Sequence, residues 1–236
     1  MKRKIIVVLA ALLTLTVACS PAPDTLNSPT TEVAEHETTT KVPESLDFDA
    51  FMLRGSSVYV TDSHIPALKF GDLVSLAAPD DLSLPAPGTL ATYEMGSDLI
   101  RESDPPGVDV RRFEALENPR GFITITLRSA GRILNHIQQG IHFIDVRTAA
   151  EYEEGHVGGS LNLPLDELER RIEEEVPDKN DVVILYCRSG NRSAQAASLL
   201  SKMGYSVLLD AGGIQSYGGP ISQGSDIGSL PEPGDF

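Results

Sequence analysis

The chain has 236 residues, of which 41% are hydrophobic, 19 are Lys or Arg and 34 are Asp or Glu, giving a formal net charge of -15. The apolar content is sufficient for a packed core, and the negative balance with sparse basic residues argues against a nucleic-acid-binding surface. With two cysteines and no histidines at a metal-ligand spacing, a disulfide-rich scaffold is excluded, and we predict neither a metal ion nor an organic cofactor.

The N-terminus has the three parts of a secretory signal peptide, which we assign to residues 1–18. Basic residues at positions 2–4 precede an apolar run at 5–15, which is too short to span a bilayer as a helix. Small residues then lead to Cys19. The segment resembles the lipobox of bacterial lipoproteins, with Thr16 where that family prefers Leu. This resemblance implies that Cys19 is acylated and becomes the mature N-terminus, whereas the alternative is ordinary cleavage before an unmodified thiol.

Residues 19–44 are predicted to be a disordered tether. Most of this segment is rich in Pro, Thr and Glu and has no apolar periodicity, so it cannot bury a core. With a lipid on Cys19, it would hold the folded part of the protein away from a membrane. The sequence therefore predicts an exported, membrane-anchored lipoprotein of the cell envelope, which faces the periplasm if the source is Gram-negative.

Residues 45–120 contain several short β-like pieces, at 57–61, 72–76 and 88–93. Turn clusters rich in Pro, Gly and Asp separate these pieces, and this spacing is typical of a small β-rich module. We interpret the segment as a β-rich accessory module, to which the sequence assigns no role.

From residue 122 the pattern changes to alternating strands and helices. Apolar runs predict strands at 122–125, 141–146, 181–186 and 206–209, and helices after Ser129 as N-cap, at 165–172 and at 193–203. This alternation predicts an α/β domain over residues 122–219, with helices on both faces of a parallel sheet. We expect it to fold without the preceding segment, and we expect residues 220–236 to form a flexible tail.

Cys187 stands at the carboxyl end of a predicted strand and directly before a predicted helix. A cysteine at this position feels the positive end of the helix dipole, and Arg188 and Arg192 add two nearby cations. Gly190 allows a tight turn in which successive N–H groups converge on one point. These features favour the thiolate, which is the nucleophilic form, over an inert buried thiol. We therefore predict a reactive Cys187 in an anion-binding loop formed by Arg188, Ser189, Gly190, Asn191 and Arg192.

Five landmarks in residues 122–219 resemble the rhodanese family of sulfurtransferases. They are Asp145-Val146-Arg147, Glu151-Tyr152, Gly155-His156-Val157-Gly158-Gly159-Ser160, Tyr186-Cys187-Arg188-Ser189-Gly190-Asn191-Arg192-Ser193 and Gly212-Gly213-Ile214. Tyr217 replaces the Trp that usually follows the last motif. The resemblance implies a rhodanese-like five-stranded parallel sheet flanked by helices, and an enzyme that transfers sulfane sulfur through a persulfide on Cys187.

This reaction implies a small sulfur donor such as thiosulfate and an acceptor such as cyanide or a thiol. We expect Asp145 and Arg147, at the end of the neighbouring strand, to support the loop through a hydrogen-bonded or ionic contact.

Other activities of a reactive cysteine fit the sequence less well. Tyrosine and dual-specificity phosphatases place five residues between Cys and Arg, whereas four residues separate Cys187 from Arg192. The domain has no second cysteine to resolve an oxidised Cys187, which disfavours a dithiol oxidoreductase. The remaining alternative is a non-enzymatic surface module that binds a partner or senses sulfur or redox state.

Overall fold

A computed structural model of the chain describes residues 5–7, 46–232 and 234–236. Cys19 and the predicted tether lie outside the described residues, as does all of the predicted signal peptide except strand β1 (Ile5–Val7), which pairs antiparallel with Leu99–Arg101. None of the helices that the structure describes has the length and apolar character needed to cross a membrane.

The β-rich segment is a small closed barrel. Its strands run in the spatial order β5-β2-β3-β4-β6, and pairing of β5 with β6 closes the sheet on itself. All neighbours are antiparallel except β4 and β6. The strands are β2 (Asp47–Arg54), β3 (Ser57–Ser63), β4 (Leu73–Ala77), β5 (Leu90–Arg101) and β6 (Gly107–Ala115).

Side chains of the barrel strands are divided between two cores by strand alternation. On β2, Ala50 and Met52 belong to the barrel interior, whereas Phe51 and Leu53 belong to a second core that includes the α/β domain. Successive side chains of a strand point to opposite faces, so a strand that is buried on both faces has a continuous apolar sequence. The sequence prediction missed β2 because it lacks the apolar–polar alternation of a strand that is exposed on one side.

The α/β domain has the predicted five-stranded parallel sheet, in the order β7-β11-β10-β8-β9. A single 3₁₀ turn at Ile214–Ser216 follows its last strand. The elements are β7 (Ile123–Thr124), α1 (Leu127–His136), β8 (Ile141–Asp145), α2 (Ala149–Glu154), β9 (Leu161–Asn162), α3 (Leu165–Glu175), β10 (Val182–Cys187), α4 (Asn191–Lys202) and β11 (Val207–Gly213).

The two faces of this sheet are covered differently. Helix α1 and the barrel cover the face that carries Tyr186, whereas α3 and α4 cover the face that carries Cys187. Every residue of β10 is buried, which matches its continuous apolar sequence. Because all five strands are parallel, their carboxyl ends meet at one edge, and Cys187 lies at that edge.

Helix α1 begins earlier than the sequence prediction places it. Its N-cap is Thr126, whose side chain accepts a hydrogen bond from the N–H of Ser129 at 3.0 Å. The predicted N-cap, Ser129, is instead a buried residue of the first turn, and its hydroxyl accepts a hydrogen bond from Tyr59 of the barrel. The hydroxyl that signals a cap in the sequence therefore links the two parts of the molecule.

Residues 220–236 differ from the predicted flexible tail, since the described part of this segment packs against the α/β domain. Ser222 and His156 exchange backbone hydrogen bonds of 2.9 Å. The Phe236 side chain is 4% exposed and lies over Gly131 of α1, where a Cβ would come within 2.1 Å of the ring. Burial of this aromatic side chain offsets the entropy lost by ordering a segment that has no regular secondary structure.

The barrel and the α/β domain are joined by one hydrophobic core and by polar contacts around it. Arg132 of α1 donates to the carbonyl oxygen of Gly71 at 3.0 Å, and Arg54 of β2 forms an ion pair of 2.7 Å with Asp181. The barrel thus packs against the face of the parallel sheet that α1 also covers.

Candidate active site

Cys187 lies at the last position of β10, where the chain turns sharply into α4. The turn requires Gly190, which is the N-cap of α4 and has a φ of 102°, a backbone conformation that residues with a Cβ rarely adopt. The N–H of Gly190 points back at the thiol and donates to Cys187 Sγ at 3.1 Å. This bond supplies one of the backbone donors that the sequence predicts to converge on the sulfur.

The environment of the thiol lowers its pKa. Burial of Cys187 acts in the opposite direction and is the largest single influence, but hydrogen bonds from Ser193, Gly190 and Ser189 outweigh it and leave the pKa below its ordinary value. These donors belong to the loop and the first turn of α4. The thiolate is stabilised by backbone geometry that the β10–α4 turn imposes.

Ser193 contributes to this arrangement in two ways. Its N–H lies in the first turn of α4 and faces the sulfur, whereas its hydroxyl lies 3.0 Å from the carbonyl oxygen of Gly190 and 3.3 Å from that of Gly212. One hydroxyl proton serves one acceptor at a time, so the backbone N–H groups are the constant donors to Cys187. Ser193 was not among the predicted site residues, although its place in the first turn after the cysteine could have indicated it.

Three of the predicted loop residues are exposed to solvent: Arg188, Ser189 and Asn191. Within the described part of the chain, no side chain of these three forms a hydrogen bond or an ion pair. Arg188 is therefore a free cation that directly follows the thiol in the sequence.

Arg192 is held differently from Arg188. Both of its terminal nitrogens donate to the Glu151 carboxylate, at 2.7 Å each. The hydrogen bonds from Arg192 are the largest of several influences that lower the pKa of Glu151, to about 2, and the same contact raises the pKa of Arg192. The Cys187 thiolate also favours the charged guanidinium of Arg192, so this cation lies within electrostatic range of the sulfur. The sequence analysis placed Arg192 in the loop but did not identify Glu151 as its partner.

Asp145 and Arg147 form a buried ion pair beside the loop. The Arg147 guanidinium donates to Asp145 at 2.6–3.0 Å and to the carbonyl oxygen of Gly155 at 2.7 Å. Burial opposes the charge on Arg147, but Asp145 raises its pKa above the ordinary value. Asp145 is the direct neighbour of Tyr186 in the pairing of β8 with β10, so the pair fixes the strand end that precedes Cys187.

The end of β11 forms the other wall of the loop. Gly213 is the register partner of Cys187, and a Cβ on Gly213 would lie 2.5 Å from both the carbonyl oxygen of Arg188 and the Cα of Ser189. The N–H of Gln215 donates to that carbonyl oxygen at 3.2 Å. The glycine motif at the end of the domain thus permits the close approach of two backbones.

The structure brings the predicted loop residues together at one edge of the sheet, with the predicted supporting pair on the adjacent strand. It adds contacts that sequence reasoning did not find, from Glu151, Ser193 and the Gly212–Gly213 backbone. A buried thiol with a lowered pKa, convergent N–H donors and nearby cations is suited to nucleophilic attack on an anionic substrate.

Comparisons with known proteins agree with this geometry. The model of the rhodanese-like domain family matches residues 129–219. The thiosulfate sulfurtransferase PspE of Escherichia coli is 46% identical over 83 residues, which are 35% of this chain and 80% of that protein. The chain belongs to the rhodanese-like family. A sulfurtransferase of Allochromatium vinosum is 40% identical over 80 residues, 34% of this chain and 73% of the relative.

Among solved structures, a rhodanese with anions from E. coli is similar to this chain. It is 45% identical, the match covers 36% of this chain and 99% of that one, and the TM-score is 0.34. The 46% identity to PspE over 83 residues makes the rhodanese-like domain described here a homologue of a thiosulfate sulfurtransferase.

Proposed function

We propose that the protein is a rhodanese-type sulfurtransferase that moves sulfane sulfur from thiosulfate, or a related donor, to a thiol or cyanide through a persulfide on Cys187. The observation that carries this proposal is the Cys187 thiol, which accepts a hydrogen bond from Gly190 and has a lowered pKa in a loop flanked by two arginines. The similarity to sulfurtransferases over the same residues supports it.

The reaction proceeds in two half-reactions. The Cys187 thiolate attacks the outer sulfur of thiosulfate, the S–S bond of thiosulfate breaks, and its electron pair leaves with sulfite. The enzyme then carries a Cys187–S–S⁻ persulfide. In the second half-reaction the acceptor attacks the outer sulfur of the persulfide, and the electron pair of the broken bond returns to Cys187 as thiolate. This scheme predicts ping-pong kinetics.

Most loop residues have a proposed role in this scheme. The N–H groups of Ser189, Gly190 and Ser193 stabilise negative charge on the sulfur, and Arg188 attracts the anionic donor. Arg192 supports the anion through its charge while Glu151 holds its position. Asp145 and Arg147 keep the end of β8 fixed against β10 and act as supporting residues.

Mass spectrometry of the purified protein after incubation with thiosulfate tests this function. We expect a gain of about 32 Da, one sulfur atom, on the peptide that contains Cys187, with release of sulfite. Cys187→Ser should abolish the gain while retaining the fold, because the substitution is nearly isosteric. Equal activity of Cys187→Ala and the wild type in an assay with thiosulfate and cyanide would exclude this role of the cysteine.

We also propose that the protein is exported and anchored to a membrane by acyl chains on Cys19, with residues 19–44 as tether. The order of basic, apolar and small residues before Cys19 supports this proposal. Two acyl chains suffice for stable anchoring, at ~0.8 kcal/mol for each buried methylene. Labelling of cells with radioactive palmitate tests it: the wild type should be labelled and Cys19→Ser should not be. Equal labelling of the two proteins, or none, would contradict it.

A further inference from the structure

A groove of about 400 Å³ lies at the same sheet edge as the Cys187 loop and is not used by the mechanism above. Its walls come from the first turn of α1, the end of β11 with the following turn, and residue 236. Pockets that bind small molecules have volumes of roughly 300–1,000 Å³ and mostly apolar walls with a few polar groups. The volume of this groove falls within that range, and its lining contains both apolar and polar residues.

The groove is separated from the catalytic loop by the thickness of one backbone. Residues 211–213 line the groove on one side. On the other side they contact the loop, because Gly213 pairs with Cys187 and Gly212 approaches Gly190. Adjacent strands lie about 4.8 Å apart, so the groove wall is one strand spacing from the cysteine backbone. A ligand in the groove would thus have to extend past the end of β11 to reach the loop.

The lining combines apolar side chains with hydroxyl groups and a single cation. Ile125, Leu127, Tyr217 and Phe236 supply the apolar walls, and Arg128 lies at the N-terminal end of α1. Arg128 is exposed, and in the described ranges its side chain forms no ion pair or hydrogen bond. A cation in the first turn of a helix is opposed by the helix dipole, so Arg128 does not stabilise α1. Its charge is available to a ligand.

Free cations are scarce in this acidic protein. Of the described residues, four Lys or Arg side chains have no ion pair, hydrogen bond or ring contact: Lys69, Arg128, Arg188 and Lys202. Arg128 and Arg188 both lie at the edge that carries Cys187, whereas Lys202 ends α4 at the opposite edge. The sheet edge with the thiol therefore offers uncompensated positive charge beside a groove that is partly lined by apolar side chains.

We propose that this groove binds the sulfur acceptor, and that the acceptor is a thiol with an apolar body and a carboxylate that pairs with Arg128. The proposal rests on the proposed function, because it assigns the second half-reaction. The acceptor thiolate attacks the outer sulfur of the Cys187 persulfide and forms R–S–S⁻. The bond to Cys187 Sγ breaks, and its electron pair remains on Cys187 as thiolate.

The experiment uses the preformed persulfide, so that donor binding does not enter the measurement. The full chain is treated with thiosulfate, desalted, and mixed with 6-mercaptohexanoate, with its uncharged counterpart 6-mercaptohexanol, or with cyanide. The loss of about 32 Da from Cys187 is followed by mass spectrometry. We expect 6-mercaptohexanoate to react roughly threefold to tenfold faster than 6-mercaptohexanol, which corresponds to about 0.7–1.4 kcal/mol.

Two variants and a control identify the groove. Arg128→Gln should abolish the preference for the carboxylate and leave the rate with 6-mercaptohexanol unchanged, whereas Lys202→Gln, with the same charge change, should retain the preference. Gly218 lines the groove, has no positive φ, and a Cβ there meets nothing within 4 Å. Gly218→Leu should therefore fill the groove and slow both thiols while leaving cyanide unaffected.

The outcomes separate this proposal from the proposed function. A wild type that gains no sulfur from thiosulfate overturns both. If the persulfide forms and reacts with cyanide, but reacts equally fast with the two thiols, the proposed role of the groove is overturned and the proposed function is not. Equal loss of preference in Arg128→Gln and Lys202→Gln also overturns it, because the effect would then reflect net charge. If Gly218→Leu fails to form the persulfide, the groove is tested by the comparison of Arg128→Gln with Lys202→Gln alone.

Discussion

The Cys187 thiol is subject to two opposing influences. Removing a sulfur from water disfavours its charged form, and Cys187 is 1% exposed. Backbone N–H groups of the loop and the Ser193 donors favour the thiolate and prevail, so the pKa is lowered. Backbone donors are suited to this purpose because the turn fixes their positions before the substrate arrives.

Ser193→Ala tests the contribution of the first turn of α4. Loss of the hydroxyl removes a group that favours the thiolate, so the thiol pKa should rise and persulfide formation should begin at higher pH. At pH 6 we expect the rate to fall roughly threefold to tenfold, as for the loss of one hydrogen bond of about 0.5–1.5 kcal/mol. Above the pKa of both proteins the rates should converge. The pH dependence of the rate measures both limits.

The matched control for this variant is Ser198→Ala. The Ser198 hydroxyl bonds to the carbonyl oxygen of Ala194 within α4 and does not contact the loop. A shift of the profile in the control as large as in Ser193→Ala, or a difference in rate that persists at high pH, would contradict the assignment.

Glu151→Gln tests the partner of Arg192. The variant loses an ion pair whose side chains are 27% and 30% exposed, and we expect a loss of about 0.5–1 kcal/mol in the free energy of unfolding at pH 7. The folded-state pKa of Glu151 is lowered to about 2. The stabilisation is therefore fully present above the unfolded value near 4.5 and is lost as the pH falls through the folded value.

Urea unfolding at pH 6 and pH 3 measures this dependence. The wild type should exceed Glu151→Gln in stability by less at pH 3 than at pH 6. Glu169→Gln, at an exposed position with no partner among the described residues, should show no such difference. An equal deficit of Glu151→Gln at both pH values would show that the Glu151 charge does not stabilise the fold.

At the scale of elements, the site depends on two strand ends that approach unusually closely. The β10–α4 turn requires a positive φ at Gly190, and the end of β11 requires the absence of a Cβ at Gly213. Helix α4 then follows directly from the loop, so that the N–H of Ser193 in its first turn faces the sulfur. The geometry of the loop is set by these neighbours.

Gly213→Ala tests the contact between β11 and the loop. The new Cβ would lie 2.5 Å from backbone atoms of Arg188 and Ser189, which have no rotamer to move into. We expect a loss of roughly 1–3 kcal/mol in stability and a slower formation of the persulfide, because the loop must shift. Thermal unfolding and the thiosulfate reaction measure the two effects. Gly234→Ala, where a Cβ meets nothing within 4 Å, should behave as the wild type.

Local patterns predicted the elements that have a strong local signal. Strand β10 is a continuous apolar run followed by a cysteine and a glycine turn, and its position and that of Cys187 were predicted correctly. Two elements were not predicted: the helix α2 (Ala149–Glu154), which is only six residues long, and β6, whose outer face is charged. The N-cap of α1 was predicted at Ser129 and not at Thr126, three residues earlier, because the hydroxyl side chains of Ser and Thr are both favoured at this position.

Contacts between distant segments were not predictable in the same way. Glu151 and Arg192 are 41 positions apart, and no local sequence pattern in either segment indicates that the two side chains form an ion pair. The groove draws its walls from three separate segments of the chain. The packing of Phe236 depends on the space above Gly131, which exists only once α1 has formed.

At the scale of the whole molecule, the barrel and the rhodanese-like domain share one hydrophobic core. Phe51, Leu53, Tyr59 and Leu73 from the barrel belong to the same cluster as the buried face of α1. The first turn of α1 also lines the groove beside the loop. The barrel therefore supports an element that reaches the site, although it contributes no residue to the Cys187 loop.

Leu53→Ala tests this coupling. Leu53 is fully buried in the shared core, and its truncation should cost about 2–5 kcal/mol in the free energy of unfolding. Since both parts use this core, we expect a single unfolding transition that moves as a whole, whether it is followed in the barrel or in the α/β domain. Leu116→Ala, at a position that is 38% exposed, should cost much less. Two separate transitions in the wild type would contradict one cooperative unit.

A fragment without the barrel addresses the sequence prediction that residues 122–219 fold and react alone. The shared core argues against full independence: the fragment exposes the face of α1 that contacts the barrel, and it also loses the packing of Phe236 over Gly131. We expect residues 122–219 to unfold at a lower urea concentration than residues 46–236, with residues 122–236 between them, because each truncation exposes apolar surface. The rate of persulfide formation in the folded fraction should change little, since no barrel residue contacts Cys187 in the described structure. Equal unfolding midpoints of all three proteins would show that the barrel adds no stability to the domain.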